Sequence, residues 1–588
     1  MSTIKSNKLV DTSKESPVKT HYKPKNKRRY SRVSDAVDFQ LLLQKHGSRV
    51  ALSYFDKSRQ LHDMTYGEVA DTIKKVSAGI SAMGLSGKKI AVIGETSYQW
   101  ITSYVGILTS GSVVIPMDKE LETSVILDFL AWVDADAIIY SERFNSAFED
   151  AKGAHKSLKY FIPMCPPERF VEDEYTVSFE KLLLLGEAEI ESGYEFPPVG
   201  DKERLAEMLF TSGTTGTSKA VMLSQKNIFS VVNAAAETVD FNPEDTIVSV
   251  LPIHHTYELA CMLAGFVYGM HICINDSLTH LLKNFQTFKP TGLVLVPLFV
   301  YTMYKKIWAE AKKTKKDKLL KIGMNTSKAL NTVGIDKRRE ILAQVHNTFG
   351  GRLEKIICGG AALNPKMIEF FEDLGISIYE GFGITECAPL TCVTPYYARK
   401  YGSVGPAVPC CQVRIAGEAT NDLGFIEGEI QVKGDNVMIG YFDNDEANAA
   451  VFTDDKWFCT GDMGYMDGDG YVYITGRLKS VIVLESGKNV FPEEIEEYLA
   501  NIDLIAESVV VGRSQGRTDK VILTAIVYPD YSKFDDDVSE ETVLRAVQNA
   551  INSMNKKLPS YKQVKGVEIR STEFEKTTSR KIKRHLVQ

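Results

Sequence analysis

The chain has 588 residues, 44% hydrophobic and 25% charged, with a net charge of −7. It is too long for a single core, and its acidic balance excludes a globally basic, nucleic-acid-binding protein. No apolar run reaches the roughly 18 residues of a spanning helix. The N-terminal residues lack the apolar core of a signal peptide, and the nine cysteines form no C-x-x-C pair, which together point to a reducing cytoplasm.

Residues 1–32 carry ten Lys/Arg against Asp11 and Glu15, a net of +8. Such a run is either a solvated tail or an electrostatic contact for an anionic membrane, which makes peripheral membrane attachment an expectation. From residue 36 to about residue 199, an amphipathic stretch at 66–83 and a helix at 100–111 alternate with short apolar runs at 89–94, 112–116 and 137–140. Strands separated by helices imply parallel βαβ units.

Next comes the stretch around which the rest is arranged. Leu209 and Phe210 run into Thr211, Ser212, Gly213, Thr214, Thr215, Gly216, Thr217 and Ser218, then Lys219 and a second apolar run. Two apolar strands around a small loop predict a strand-loop-strand hairpin. Six hydroxyls, free backbone N–H groups and two glycines suit a polyphosphate, and Lys219 adds a compact positive charge. The P-loop of the common NTPases is excluded, because Ser218 precedes the lysine, Ala220 follows it, and a strand comes next.

Beyond the hairpin, a strand at 246–250 ends in Leu251-Pro252-Ile253-His254-His255, where ligands of open α/β sheets collect. Histidines there often only cap or pack. A buried strand at 292–297 precedes a helix at 299–313, a basic run at 312–321 that reads as a solvated face, and helical text to about residue 349. Gly359, Gly360 and Ala361 end another strand and leave room for a flat ligand. The run 377–386 ends in Glu380-Gly381-Phe382-Gly383-Ile384-Thr385-Glu386. Its aromatic ring can stack on a base, Thr385 can donate to a phosphate oxygen, and Glu386 can hold Mg²⁺.

From residue 404 to 476 short strands and turns replace the βαβ pattern, predicting a small antiparallel β subdomain. Asp462, after Trp457-Phe458, can accept both ribose hydroxyls of a nucleotide. Gly476-Arg477-Leu478-Lys479 breaks this pattern, and the remainder reads as a small α+β domain with a helix at 540–558 and a basic tail containing Lys576, Lys581 and Lys583.

Thr211 to Ala220, with the motifs at 380–386, 460–462, 476–479 and 579–582, resembles the adenylate-forming superfamily, in the long-chain fatty acyl-CoA synthetase branch. The likeness covers nearly the whole chain. Ser218 and Ala220 stand where the family has Pro and Gly, Leu298 where that branch has Arg, and Arg580 where the adenylation loop has Gly.

The resemblance implies an α/β fold: a large N-terminal domain (33–476, with 404–476 as the β subdomain) and a small α+β C-terminal domain (477–588) hinged at 476–480. It implies ATP, Mg²⁺ and CoA as cofactor and co-substrates, and a fatty acid as substrate. Transfer to a carrier protein, or activation of an aryl or medium-chain acid, is the alternative. By the same resemblance His255 lies against the acyl and phosphate groups, Gly360 and Ala361 border adenine, and Arg477 reaches ribose or phosphate. Lys479 is the rotating hinge residue, Ser486 and Gly487 contact the CoA arm, and Lys581 is the adenylation lysine.

Overall fold

Strands buried on both faces read as continuous apolar runs, and the runs noted in the sequence become the centres of two sheets. In this computed structural model the described residues are 31–152, 157–167, 170–212, 218–421, 423–484, 489–514, 521–535, 538–576 and 582–587. A seven-stranded sheet runs in the order Gly440–Tyr441, Ser218–Ser224, Leu205–Ser212, Val113–Met117, Lys89–Ile93, Ala137–Tyr140 and Tyr160–Pro163. Its centre is parallel, while Leu205–Ser212 and Ser218–Ser224 form the expected antiparallel hairpin. Helix Tyr66–Ala82 is started by a capping box in which Thr65 and Glu68 satisfy each other's backbone N–H groups.

An eight-stranded sheet follows the order Cys392–Val393, Ser377–Phe382, Lys355–Gly359, Gly292–Leu295, Thr246–Ser249, His271–Ile274, Val50–Phe55 and Leu61–Thr65. All pairs within it are parallel except those at its two edges. The C-terminal ends of Thr246–Ser249, Gly292–Leu295, Lys355–Gly359 and Ser377–Phe382 therefore emerge side by side, the usual ligand edge of an open α/β sheet. Helix Pro297–Lys313 starts two residues before its expected position because Pro297 occupies the first helical turn, where no N–H is needed.

The region 404–476 forms an antiparallel four-stranded sheet of Cys411–Thr420, Ile426–Gly434, Phe458–Met466 and Val472–Arg477. The last unit has its own core around Ile495, Leu499, Val510, Leu523, Val547 and Ile551. Its helices Pro492–Ala500 and Glu540–Asn555 accompany a three-stranded sheet of Ile505–Ser514, Val521–Pro529 and Gly566–Ile569. The molecule is thus an α/β protein with a large N-terminal and a small C-terminal part.

Candidate active site

The hairpin brings Lys219 into register with Thr211, and the Thr211 hydroxyl donates to the Lys219 carbonyl at 3.5 Å. Phe210 stacks on Phe129 with ring centroids 4.3 Å apart, fixing the strand that enters the loop. Gly213, Thr214, Thr215 and Gly216 lie outside the described residues. On the far side of the hairpin, Tyr441 pairs with Val221. The Lys219 ammonium sits over the Tyr441 ring at 4.3 Å, and the Tyr441 hydroxyl donates to Glu386 Oε1 at 2.8 Å. Burial, and next the Glu386 charge, push the Tyr441 phenol far above its ordinary value, so it stays a donor. Lys219 and Glu386, distant in sequence, meet at one aromatic side chain. Tyr441 was not picked out in the sequence; the dipeptide Gly440-Tyr441 at the start of a turn-rich stretch was its only signal.

Thr385 and Glu386 sit in a short 3₁₀ turn just past strand Ser377–Phe382. The chain folds back so tightly here that a Cβ on Gly383 would lie 1.5 Å from the Pro389 carbonyl oxygen, which explains the glycine. Glu380 is buried in this strand, and burial, with the Glu497 carboxylate second, raises it to about 8. Gly360, at φ 87°, and Ala361 are exposed at the adjacent strand end. His255 caps helix Thr256–Tyr268, its Nδ1 accepting from the Tyr257 N–H at 3.3 Å. His254 also faces the crevice, with Nε2 3.7 Å from Asp118 Oδ1. Burial keeps this imidazole below its ordinary value.

Asp462 and Arg477 are cross-strand partners in the β subdomain, with Arg477 Nε 3.0 Å from Asp462 Oδ1. The turn before Asp462 is shaped by Gly461 at φ 71° and by Thr460, whose hydroxyl donates to the Ile430 carbonyl at 2.7 Å. Lys479 occupies the 3₁₀ turn Leu478–Ser480 leading to the small domain. Ser486, Gly487 and Lys581 lie outside the described residues. The chain on either side of Lys581 is anchored: Lys576 pairs with Glu507, and with Glu573 at 2.7 Å, while the Lys583 N–H donates to the Glu575 carbonyl at 2.8 Å. Arg584 pairs with Glu496 and Glu493 of helix Pro492–Ala500.

A continuous cavity of about 2390 Å³ joins these groups. Thr211, Lys219 and His255 line it with Gly360 and Ala361. So do Glu380 to Glu386, including Gly381, Phe382, Gly383 and Thr385, and the trio Asp462, Arg477 and Lys479. From the small domain come Glu493, Glu497, Lys576, Lys583 and Arg584, of which Glu493, Glu497 and Arg584 were not expected. Part of its wall is apolar, with Val231 and Ala235 of helix Gln225–Thr238 joined by Val239, Ala260, Val393 and Val404. Among the described residues no cluster of three or more His, Cys, Asp or Glu could hold a metal ion. A lone carboxylate such as Glu386 fits Mg²⁺, which binds through one or two carboxylates plus waters and phosphate oxygens.

A crevice at strand C-termini, lined as well by a second small domain and set with paired cationic and acidic groups, defines a two-part α/β protein with a large ligand crevice. Residues 39–442 match the AMP-binding enzyme family, and residues 479–588 match the AMP-binding enzyme C-terminal domain. The chain belongs to the AMP-binding enzyme family. It is 28% identical over 482 residues to the long-chain-fatty-acid–CoA ligase FadD15 of Mycobacterium bovis, covering 76% of this chain and 75% of that one. It is 24% identical over 571 residues to the long-chain-fatty-acid–[acyl-carrier-protein] ligase AEE15 of Arabidopsis thaliana, covering 85% and 77%. The ATP-bound structure of MatB from Rhodopseudomonas palustris superimposes with a TM-score of 0.71 at 22% identity, covering 94% of this chain and 98% of that one.

Proposed function

We propose that the protein activates a long-chain fatty acid with ATP, forming an acyl-adenylate, and then transfers the acyl group to CoA. One observation carries this reading: a single cavity is lined both by Lys219, Tyr441, Glu386, Asp462 and Arg477 and by the apolar Val231, Ala235, Val239, Val393 and Val404.

A carboxylate is a poor acyl donor because its leaving group would be oxide. In the first half-reaction a carboxylate oxygen attacks the α-phosphorus in line; the new bond is C(=O)O–P, and the bond to the bridging oxygen breaks, releasing pyrophosphate. Lys219 holds the departing pyrophosphate, and Lys581 neutralises charge that develops on the bridging oxygens, by positioning rather than covalent catalysis. Glu386, steadied by Tyr441, would hold Mg²⁺, which would offset phosphate charge. Asp462 accepts the ribose hydroxyls, Thr385 donates to a phosphate oxygen, and Phe382, Gly360 and Ala361 flank adenine. His255 lies where the acyl carboxyl meets the phosphate.

In the second half-reaction a thiol attacks the acyl carbonyl and AMP leaves. Ser486 and Gly487 guide the CoA arm after the small domain (477–588) turns about Lys479. The similarity to AEE15 supports a second reading, in which a carrier-protein thiol takes the place of CoA.

The test is a panel in which acid, ATP and CoA are each omitted, with palmitate and benzoate as acids. Pyrophosphate release that needs both acid and ATP, with palmitate preferred and CoA converting adenylate to thioester, is expected. Release independent of acid would refute acid activation, and an adenylate that persists with CoA would move the acceptor to a carrier protein. Lys581→Ala should abolish palmitate-dependent pyrophosphate exchange; retained exchange would remove Lys581 from its role.

A further inference from the structure

The helices after Pro297–Lys313 carry more apolar surface than their packing uses. Helix Asp317–Thr332 packs inward through Leu320, Gly323 and Ser327, with a Cβ on Gly323 reaching Leu342 at 3.1 Å. A second stripe of Leu319, Ile322, Thr326, Ala329 and Val333 follows the i, i+3, i+7 spacing of one helix face. Leu319 is 64%, Ile322 61% and Val333 70% exposed, with Ile335 and Ile341 exposed close by in the chain. An exposed apolar helix stripe of this kind marks a candidate interaction site.

The charge around it is one-sided. Residues 305–341 hold twelve Lys/Arg against four Asp/Glu, a net of +8 on a chain of net −7. Lys305, Lys306, Lys312, Lys313, Lys315 and Lys318 are exposed and form no ion pair among the described residues. Three occupants are disfavoured by this chemistry. A second copy docked by a two-fold axis would set +8 against +8. The N-terminal tail, net +8 over residues 1–32, has the same sign. A nucleic acid offers phosphates but no apolar acceptor for Leu319, Ile322 and Val333.

We infer that residues 305–341 form a docking surface for an anionic lipid bilayer, with Leu319, Ile322 and Val333 entering the headgroup boundary and the surrounding lysines held by acidic headgroups. Basic residues flanking an exposed apolar helix face are the arrangement of an interfacial helix. The surface adjoins the cavity through one element: helix Pro297–Lys313 lines the cavity with Leu298, Tyr301 and Tyr304 near its start and carries Lys312 and Lys313 at its end. Tyr304 and Lys313 lie about 14 Å apart along this helix at 1.5 Å per residue. The inference does not depend on acid activation, because docking is read without turnover.

The test is sedimentation of the full chain with vesicles of phosphatidylcholine alone or with about 30% phosphatidylserine. Binding to the anionic vesicles only, weakened by salt, is expected. Leu319→Glu/Ile322→Glu and, separately, Lys312→Glu/Lys313→Glu/Lys315→Glu should each lower it about tenfold or more. Unchanged circular dichroism and thermal midpoint in these variants of exposed positions would show that the fold is intact. The tail is present in every protein, so equal binding by all three would overturn the surface and assign attachment to residues 1–32. Loss of binding to RNA or to an acidic carrier protein, with vesicle binding unchanged, would overturn it as well.

Discussion

Two partners use different parts of Tyr441. Its hydroxyl donates to Glu386 at 2.8 Å, and its ring carries the Lys219 ammonium at 4.3 Å. Tyr441→Phe removes the first contact and keeps the second. A hydrogen bond to a charged group is worth about 1.5–3 kcal/mol, so palmitate-dependent pyrophosphate exchange should fall about tenfold to a hundredfold. Tyr441→Ala, which also loses the cation–π contact, should fall further; equal exchange in wild type and Tyr441→Phe would mean the hydroxyl does not steady Glu386. Glu380 makes a different prediction. Burial first, and Glu497 second, raise it from 4.5 to about 8, so the folded state prefers its protonated form. Its contribution to stability is complete below about 4.5 and is lost as pH rises through about 8. Glu380→Gln cannot titrate, so its urea midpoint should gain on wild type steadily from pH 5 to pH 8. A gap that stays constant with pH would show that Glu380 is not held neutral.

At the scale of elements, the site stands on strand ends that are tied down at the opposite edge of the sheet. Lys355 Nζ lies 2.7 Å from Asp245 Oδ2, both side chains are buried, and the Thr291 hydroxyl donates to Asp245 Oδ1 at 2.6 Å. These three residues join the starts of Thr246–Ser249, Gly292–Leu295 and Lys355–Gly359, whose far ends form the crevice. Lys355→Met leaves Asp245 charged and unpaired, which should cost about 3–5 kcal/mol, while Lys355→Met/Asp245→Leu should recover much of that loss. Urea unfolding of the two variants checks this, and additive losses would deny the pairing. Elements of this kind were legible because their signals are local. The hairpin announced itself as two apolar runs around Gly, Ser and Thr, and the parallel strands as short apolar runs between helices. Asp462 and Arg477 were each visible, but their pairing depends on the register of Phe458–Met466 against Val472–Arg477. Tyr441 was invisible for the same reason: its meaning comes from lying beside Val221, more than two hundred residues earlier. The segment 319–333 was read only as the end of the basic run at 312–321 and the helical text after it, because its apolar stripe shows once the inward face of the helix is known.

The whole molecule turns on the junction of its two parts. Strand Val472–Arg477 ends the β subdomain with Arg477 held by Asp462, and two residues on, Lys479 begins the small domain's approach. The junction is close-packed: a Cβ on Gly476 would come within 2.7 Å of the Phe491 side chain. Helix Pro492–Ala500 then carries Glu493 and Glu497 into the shared cavity, and Arg584 anchors to the same helix through Glu496. Burial raises Glu496 to about 7 against the opposing pull of Arg584, and both side chains line the shared cavity. A body built in this way can present different edges to the crevice only if the backbone between Gly476 and Ser480 changes its dihedral angles. Lys479→Pro restricts that change at one residue while leaving Lys219, Glu386, Asp462 and the small-domain core in place. Single-turnover formation of palmitoyl-adenylate should therefore stay within about threefold of wild type, whereas transfer from adenylate to CoA should slow by about a hundredfold or more. Rapid-quench measurement of both steps on one preparation separates the outcomes. Equal slowing of the two would mean that the junction serves one fixed arrangement, and that both half-reactions use the same seating of the small domain.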